Sequence, residues 1–105
     1  MKTLTVITPV IIGTILLLFT TACATRAVDK HSRNMAASCA ACHGTNGHSA
    51  GGAPILAGLE KTYFITQMQN MKSGTRPTTV MNKHAKGYSD EEISMLADFF
   101  SAQKP

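Results

Sequence analysis

The sequence predicts a small all-α domain, on three observations. After residue 25 no stretch shows the apolar–polar alternation of a strand, whereas two stretches carry apolar residues at helical spacing. The chain has 105 residues, which allows one small domain and excludes a multidomain or barrel-sized enzyme. It has no Trp, two Tyr and four Phe, so we expect something besides side chains to contribute to the core.

The first element is an apolar N-terminal stretch. From Leu4 to Ala22 the chain carries no charge and is rich in Val, Ile, Leu and Thr, which is typical of a secretory signal peptide. A retained transmembrane helix is the alternative, because the stretch approaches the ~20 residues that span a bilayer. Pro9 and Gly13 interrupt it, which favours cleavage. We therefore predict a signal peptide over residues 1–22, a linker over 23–29 and a folded domain over 30–105.

Cys23 decides how that signal is removed. Residues 19–23, Phe-Thr-Thr-Ala-Cys, resemble a bacterial lipobox, in which a small residue precedes a cysteine that is lipidated and becomes the new N-terminus. The departure is Thr20, where the lipobox usually has Leu. Cleavage after Ala24 also fits the small-x-small rule, and it would discard Cys23. Both routes predict a periplasmic domain, either free or tethered to a membrane through Cys23.

The charge balance excludes one class of partner. Loss of the signal peptide removes one lysine and leaves nine Lys and Arg against six Asp and Glu. These charges form no Lys/Arg run and no basic stripe interleaved with aromatic residues, so nucleic-acid binding is not predicted. The mild positive charge is compatible with an acidic protein partner.

The first helix of the domain leads into the central motif. It starts at Asp29 or Ser32 and runs through Met35 to residues 39–43, which read Cys-Ala-Ala-Cys-His, a CxxCH motif. In an exported protein this motif is the attachment signature of c-type haem. Positions i, i+3 and i+4 of a helix share a face, so two thiols can bond the vinyl groups of one porphyrin while the imidazole binds its iron. The motif therefore predicts one covalent haem c.

Three other uses of this cysteine pair fit less well. A thioredoxin-like CxxC would lie at a strand-to-helix junction, and no strand is predicted. A zinc site would need a second CxxC or an HxxxH, and the sequence contains neither. A disulfide between Cys39 and Cys42 would close too short a loop to add much stability.

Two further helices follow a glycine-rich loop over residues 44–52. The loop lacks the GK[ST] ending of a phosphate-binding loop, and its glycines would let the chain turn tightly beside a flat cofactor. The second helix covers about residues 60–72, and its apolar residues recur at i, i+4 and i+7: Phe64, Met68 and Met71. The third begins with a capping box between Ser89 and Glu92. Its core-facing stripe is Ile93, Leu96, Ala97 and Phe100. The segment over residues 73–88 is predicted to be irregular.

The sixth ligand of the iron determines the chemistry. A thioether would stabilise Fe(II) and close the iron to other ligands, which gives an electron carrier, whereas an open position would permit gas binding or peroxide chemistry. We predict Met81, because it lies in a Pro-containing loop where no helical pattern explains it. Met68 and Met71 are the alternative sulfur ligands, although residues on a helical stripe more commonly pack in a core. His84, three residues after Met81, is the alternative nitrogen ligand.

Residues 30–103 resemble the class I cytochromes c of the bacterial c4/c553 type. The likeness rests on the string CAACHGTNG, on Ala-Pro-Ile-Leu-Ala-Gly at 53–58, on Lys-Ser-Gly at 72–74, and on a methionine loop before a capped C-terminal helix. Residues 79–89, Thr-Val-Met-Asn-Lys-His-Ala-Lys-Gly-Tyr-Ser, look most like the cytochrome subunit of flavocytochrome c sulfide dehydrogenase.

The resemblance implies a class I cytochrome c fold, with three main helices around one haem and no catalytic residue of its own. Cys39 and Cys42 match the thioether cysteines, and His43 matches the proximal ligand. Met81 matches the distal ligand. Pro54 matches the proline whose carbonyl accepts a hydrogen bond from the axial imidazole. The chain ends just after the first haem domain, so we expect a one-haem form, unlike the two-haem subunits of that family.

The resemblance also implies a function in electron transfer. An FAD-containing flavoprotein subunit would oxidise sulfide and pass electrons singly to this protein, which would reduce a downstream redox protein. One alternative is an independent carrier, free or lipid-anchored, that serves an oxidase or reaction centre. The other is a gas-binding or peroxidatic haem protein, which requires that Met81 is not an axial ligand. We do not expect the chain to be an enzyme on its own.

Overall fold

The computed structural model describes residues 29–105, and the regular structure in that range is entirely helical. The predicted signal peptide, Cys23 and the linker up to residue 28 lie outside the described residues. In chain order the elements are α1 (Lys30–Ala37), α2 (Ala40–His43), a 3-10 turn (Thr45–Gly47), α3 (Lys61–Ser73), α4 (Met81–Lys86) and α5 (Asp90–Ser101). Helix α5 packs against α1 and α3, and α4 packs against α3. The all-α prediction is confirmed. A membrane span would need a longer and more hydrophobic helix than any within residues 29–105.

Helices α1 and α2 nearly form one helix. Helix α1 begins after Asp29, one of the two predicted starts, and ends at Ala37. Ser38 and Cys39 keep right-handed helical dihedrals, but their N–H groups bond carbonyls three residues back, at 3.2 and 3.1 Å. The helix therefore tightens between α1 and α2 instead of running unbroken into the CxxCH turn as the sequence predicts.

Helix α3 is defined at both ends by local sequence. The Glu60 carboxylate accepts hydrogen bonds from the backbone N–H groups of Thr62 and Tyr63, each at 2.8 Å. These bonds satisfy free helix donors, and they lower the pKa of the Glu60 carboxyl below its usual value. Gly74, at φ 85°, ends the helix in the left-handed conformation. The predicted second helix is confirmed to within one residue at each end.

Helix α5 forms as the sequence predicts. Ser89 Oγ accepts the N–H of Glu92 at 3.1 Å, and the Glu92 carboxylate accepts the N–H of Ser89 at 2.8 Å. This is the predicted capping box. The four residues of the predicted core-facing stripe are all buried: Ile93, Leu96, Ala97 and Phe100.

The core lies where α5 meets α3. The rings of Phe64 and Phe100 have centroids 5.6 Å apart, and Phe99 meets Phe100 edge to face at 5.2 Å. Met68 and Met71 are also buried in this cluster. Three of the chain's four Phe therefore meet in one place, which concentrates the small aromatic content in the α3–α5 contact.

Gly47 is a loop glycine that the fold requires for a reason other than the one predicted. It is buried at φ 82°, and a Cβ there would lie 2.8 Å from the Ala57 nitrogen and 2.9 Å from a ring carbon of Phe100. The glycine is required because backbone and α5 approach it closely. Packing against the protein therefore accounts for Gly47 without a neighbouring cofactor.

Helix α4 corrects the prediction for residues 73–88. The sequence predicts an irregular segment with Met81 in a loop, whereas Met81 is the first residue of α4. Thr78 Oγ1 accepts the N–H of Asn82 at 2.8 Å, which satisfies one of the free donors of the first turn. Ala85 is fully buried. The loop prediction is wrong for residues 81–86, because a six-residue helix is too short to show a periodic pattern.

Candidate cofactor site

The CxxCH motif brings two thiols and an imidazole together on one turn. The N–H groups of Cys42 and His43 both point at the Cys39 carbonyl, at 3.3 and 2.9 Å, which fixes the turn. His43 is buried, with 8% of its surface exposed, whereas Cys39 is half-buried against the core and Cys42 is exposed. No disulfide joins Cys39 and Cys42. The turn therefore presents two cysteine sulfurs beside a buried imidazole.

The imidazole of His43 is held in one orientation. Its Nδ1 lies 2.7 Å from the carbonyl oxygen of Pro54. Because a carbonyl only accepts, Nδ1 donates, and the lone pair of the neutral ring is then on Nε2. A backbone acceptor of this kind fixes the tautomer and rotation of a metal-binding imidazole and increases its basicity. His43 is thus prepared to bind a metal through Nε2.

The two cysteines differ in their surroundings. Burial raises the pKa of the Cys39 thiol, and a weak contact with Ser38 Oγ at 4.0 Å acts in the opposite direction. Cys42 lies three residues on and faces solvent.

Met81 differs in its position from the methionines of α3. Met68 and Met71 are 6% and 8% exposed and belong to the core. Met81 is only half-buried and packs against the edge of that core. The side chain of His84 is exposed on the same short helix. Of these four residues, Met81 is the one that is partly buried, since Met68 and Met71 are buried and His84 is exposed.

The described residues fit a large, flat apolar group that contains a metal. Ile55, next to Pro54, is 55% exposed, and Val80, next to Met81, is 54% exposed. Single exposed apolar side chains are common on protein surfaces, but these two directly follow or precede residues that the sequence assigns to the haem site. Asn82 Oδ1, also next to Met81, is buried without a hydrogen-bond partner among the described residues. These features occur beside the residues that the sequence proposes as ligands or as support for a ligand.

Sequence reasoning missed three residues that join the site to the rest of the fold. Tyr88 OH lies 2.8 Å from Ser38 Oγ, the side chain just before Cys39. Lys72 Nζ donates to the Tyr88 carbonyl at 2.7 Å. The partners are 50 and 16 residues apart in the chain, so no local pattern could have revealed these contacts.

Charges are segregated along the chain. Residues 61–89 contain five Lys and Arg and no Asp or Glu, whereas four of the six acidic residues lie on α5. Two of the cations pair with α5, Lys61 with Asp98 at 2.7 Å and Lys72 with Asp90 at 3.2 Å. The other three are exposed and form no salt bridge with any described residue: Arg76, Lys83 and Lys86. The segment around Met81 is therefore locally positive.

Comparison with known proteins identifies the family. A family model described as Cytochrome c matches residues 30–104. The cytochrome subunit of sulfide dehydrogenase from Chlorobaculum tepidum is 46% identical over 63 residues, which are 60% of this chain and 57% of that protein. Cytochrome c4 from Azotobacter vinelandii is 39% identical over 80 residues, 67% of this chain and 38% of that protein. A thiosulfate dehydrogenase electron acceptor from Thiomonas intermedia is 42% identical over 72 residues, 67% of this chain and 33% of that protein.

The matched region spans between one third and about three fifths of the length of these relatives. The family match, by contrast, covers well over half of this chain and includes the five α-helices found within residues 29–105. The helical fold and the CxxCH turn agree with that match. The chain therefore belongs to the cytochrome c family, as a class I c-type cytochrome that carries covalently bound haem c and transfers electrons.

Proposed function

We propose that this chain accepts electrons from an FAD-containing flavoprotein subunit that oxidises sulfide, and that it passes them to a downstream redox protein in the periplasm. The observation that carries the proposal is the attachment turn. It holds a buried imidazole whose Nδ1 bonds the Pro54 carbonyl, beside two cysteines that no disulfide joins, in a chain similar to a sulfide dehydrogenase cytochrome subunit. The polypeptide supplies ligands and a docking surface and is not an enzyme on its own.

Four residues hold the cofactor in this proposal. Cys39 and Cys42 would form the two thioethers, His43 would bind the iron through Nε2, and Met81 would supply the sulfur ligand. Pro54 holds the His43 ring through its carbonyl. When bound, haem c supplies a reversible one-electron change between Fe(II) and Fe(III). The soft sulfur of Met81 favours the reduced state and leaves no free coordination position, which suits a carrier.

The donor class is supported by two of the relatives. One is named as a subunit of sulfide dehydrogenase and the other as the electron acceptor of thiosulfate dehydrogenase. Both names refer to dehydrogenases of reduced sulfur compounds. A flavoprotein that acts on sulfide is therefore the donor that we favour for this chain.

The docking surface is supported by the charges near Met81. Lys83 and Lys86 are exposed on α4, and Val80 is exposed just before it. An apolar point beside unneutralised lysines suits the acidic face of a partner protein, because charge complementarity speeds association.

Localisation rests on the sequence of residues 1–28. In this proposal residues 1–22 are removed as a signal peptide and the domain functions in the periplasm, free or anchored through Cys23. Mass spectrometry of the mature N-terminus distinguishes the two routes. An acylated Cys23 in the membrane fraction would support the anchor, since two kinds of acyl attachment bind membranes stably. A free N-terminus at Thr25 would support ordinary cleavage.

The decisive experiment is purification of the mature protein from its native host. We expect a flavin-containing polypeptide to copurify, and we expect anaerobic addition of sulfide to reduce the haem in that complex. Copurification of no flavoprotein, with haem reduction unaffected by sulfide, would favour an independent carrier. Rapid binding of carbon monoxide by the wild-type protein would favour the gas-binding or peroxidatic alternative.

Charge reversal tests the docking surface separately. Lys83→Glu with Lys86→Glu should slow electron transfer from the flavoprotein about tenfold at low ionic strength. The matched control is Lys30→Glu with Lys104→Glu, which changes the net charge equally at exposed positions outside residues 61–89. Equal slowing by both pairs would mean that net charge, and not this surface, controls association.

A further inference from the structure

Four residues meet at the end of α4 that is remote from Met81. The Tyr88 hydroxyl lies 2.8 Å from Ser38 Oγ, and the Tyr88 carbonyl accepts from Lys72 Nζ at 2.7 Å. Lys72 Nζ also lies 3.2 Å from a carboxylate oxygen of Asp90. We call Ser38, Lys72, Tyr88 and Asp90 the Tyr88 junction. It connects the residue before Cys39, the last turn of α3 and the first turn of α5.

Helix α4 depends on contacts of this kind for its position. It has six residues, and helices this short are not stable by themselves. Its N-cap residue, Val80, provides no side-chain hydrogen bond to the helix. At the other end only Gly87 separates α4 from Tyr88. Thr78, whose hydroxyl accepts the N–H of Asn82, holds the start of α4, and the buried side chain of Ala85 and the Tyr88 junction hold the rest.

We propose that Lys72 and Tyr88 are positioning residues that hold α4, and with it Met81, at a fixed place relative to the attachment turn. The inference rests on the proposed role of Met81 as the sixth ligand. The bond from Lys72 is the stronger of the two, because it is charge-assisted and partly buried, whereas the bond between Tyr88 and Ser38 is exposed. Loss of either contact lets α4 move and favours states in which the sulfur of Met81 has left the iron.

The test measures directly how readily the sulfur of Met81 leaves the iron. A thioether bound to Fe(III) gives a weak far-red absorption band, and imidazole added to the ferric holoprotein competes for the same coordination position. The apparent association constant of imidazole, followed by loss of the band, therefore reports how readily Met81 dissociates. We expect Lys72→Met to raise this constant about tenfold and Tyr88→Phe to raise it about twofold.

Two control substitutions on α3 match these changes, one for Lys72→Met and one for Tyr88→Phe. Lys61→Met also removes an ion pair between α3 and α5, since Lys61 pairs with Asp98 at 2.7 Å. Tyr63→Phe removes a hydroxyl from a tyrosine that is 51% exposed and whose hydroxyl bonds no described residue. Neither residue contacts the Tyr88 junction, so we expect imidazole binding as in the wild type. Lys72→Arg keeps a cationic donor and should restore most of the lost affinity for Met81.

The outcomes separate this inference from the function on which it rests. If wild-type ferric protein shows no thioether band, the assignment of Met81 fails and the inference with it. If the band is present and Lys72→Met binds imidazole no more tightly than Lys61→Met, the positioning role is wrong while Met81 stands. Far-UV circular dichroism identifies variants that have lost the fold. In that case Tyr88→Phe, which keeps the ring packed in the core, decides the question.

Discussion

Replacement of Met81 by Ala should separate ligation from packing when it is compared with the same change at Met68. Met68 is 6% exposed within the core, so truncation there should cost about 2–5 kcal/mol of the free energy of unfolding. Met81 is half-buried, so its side chain contributes less packing energy. If Met81 is the sixth ligand, however, its loss leaves the iron five-coordinate or open to water.

The expected results are therefore opposite in the two variants. Met81→Ala should abolish the thioether band, lower the midpoint potential and allow carbon monoxide to bind the reduced protein. Met68→Ala should keep the band and the potential while it lowers the midpoint of denaturant unfolding. Optical spectra, redox titration and urea unfolding of the two holoproteins measure these quantities. A thioether band that persists in Met81→Ala would refute the assignment, and its loss in Met68→Ala would transfer the ligand role to α3.

Three further predictions follow from the described contacts. Cys39→Ala and Cys42→Ala should each weaken or abolish covalent retention of haem, measured by mass spectrometry after acid–acetone extraction, and the chain without haem should be largely unfolded. Gly47→Ala should lower the free energy of unfolding, measured by urea titration, by about 3 kcal/mol, because the new Cβ would lie 2.8 Å from a backbone atom. Gly52 is the control, since it also has a positive φ but has open space around it, and Gly52→Ala should lower the free energy of unfolding by only about 1 kcal/mol. The pKa of Glu60 is lower in the folded protein than in the unfolded chain, so the ionised carboxylate at the start of α3 stabilises the fold at pH values above the pKa of the unfolded chain. This stabilisation is lost as the pH falls through the pKa that Glu60 has in the folded protein. Glu60→Gln should therefore be less stable than wild type at neutral pH, and thermal unfolding in increasingly acidic buffer should show that difference disappear.

The parts of the fold that the sequence predicts are those set by near neighbours in the chain. The Ser89–Glu92 box and the Glu60 to Gly74 limits of α3 involve residues within one turn of each helix end. Helix α4 was not predicted, because its existence depends on the Thr78 side chain and on burial of Ala85 against α3. Neither produces a repeating pattern in a six-residue segment. The composition and spacing of residues therefore predict helices whose ends are set by local hydrogen bonds, but not a short helix that depends on tertiary contacts.

The same distinction divides the cofactor site into two halves. On one side, five consecutive residues contain both thiols and the imidazole, and the supporting carbonyl of Pro54 is only 11 residues away from His43. On the other side, the place of Met81 depends on contacts between α3, α4 and α5 that are made far along the chain. In the first half the thiols and the imidazole can be predicted from the CxxCH motif and Pro54 from the family resemblance, but this half alone would serve an electron carrier and a gas-binding haem protein equally well. If Met81 is the sixth ligand, the contacts that hold α4 determine whether the iron stays closed to other ligands, so the decisive experiments address the sixth coordination position and those contacts.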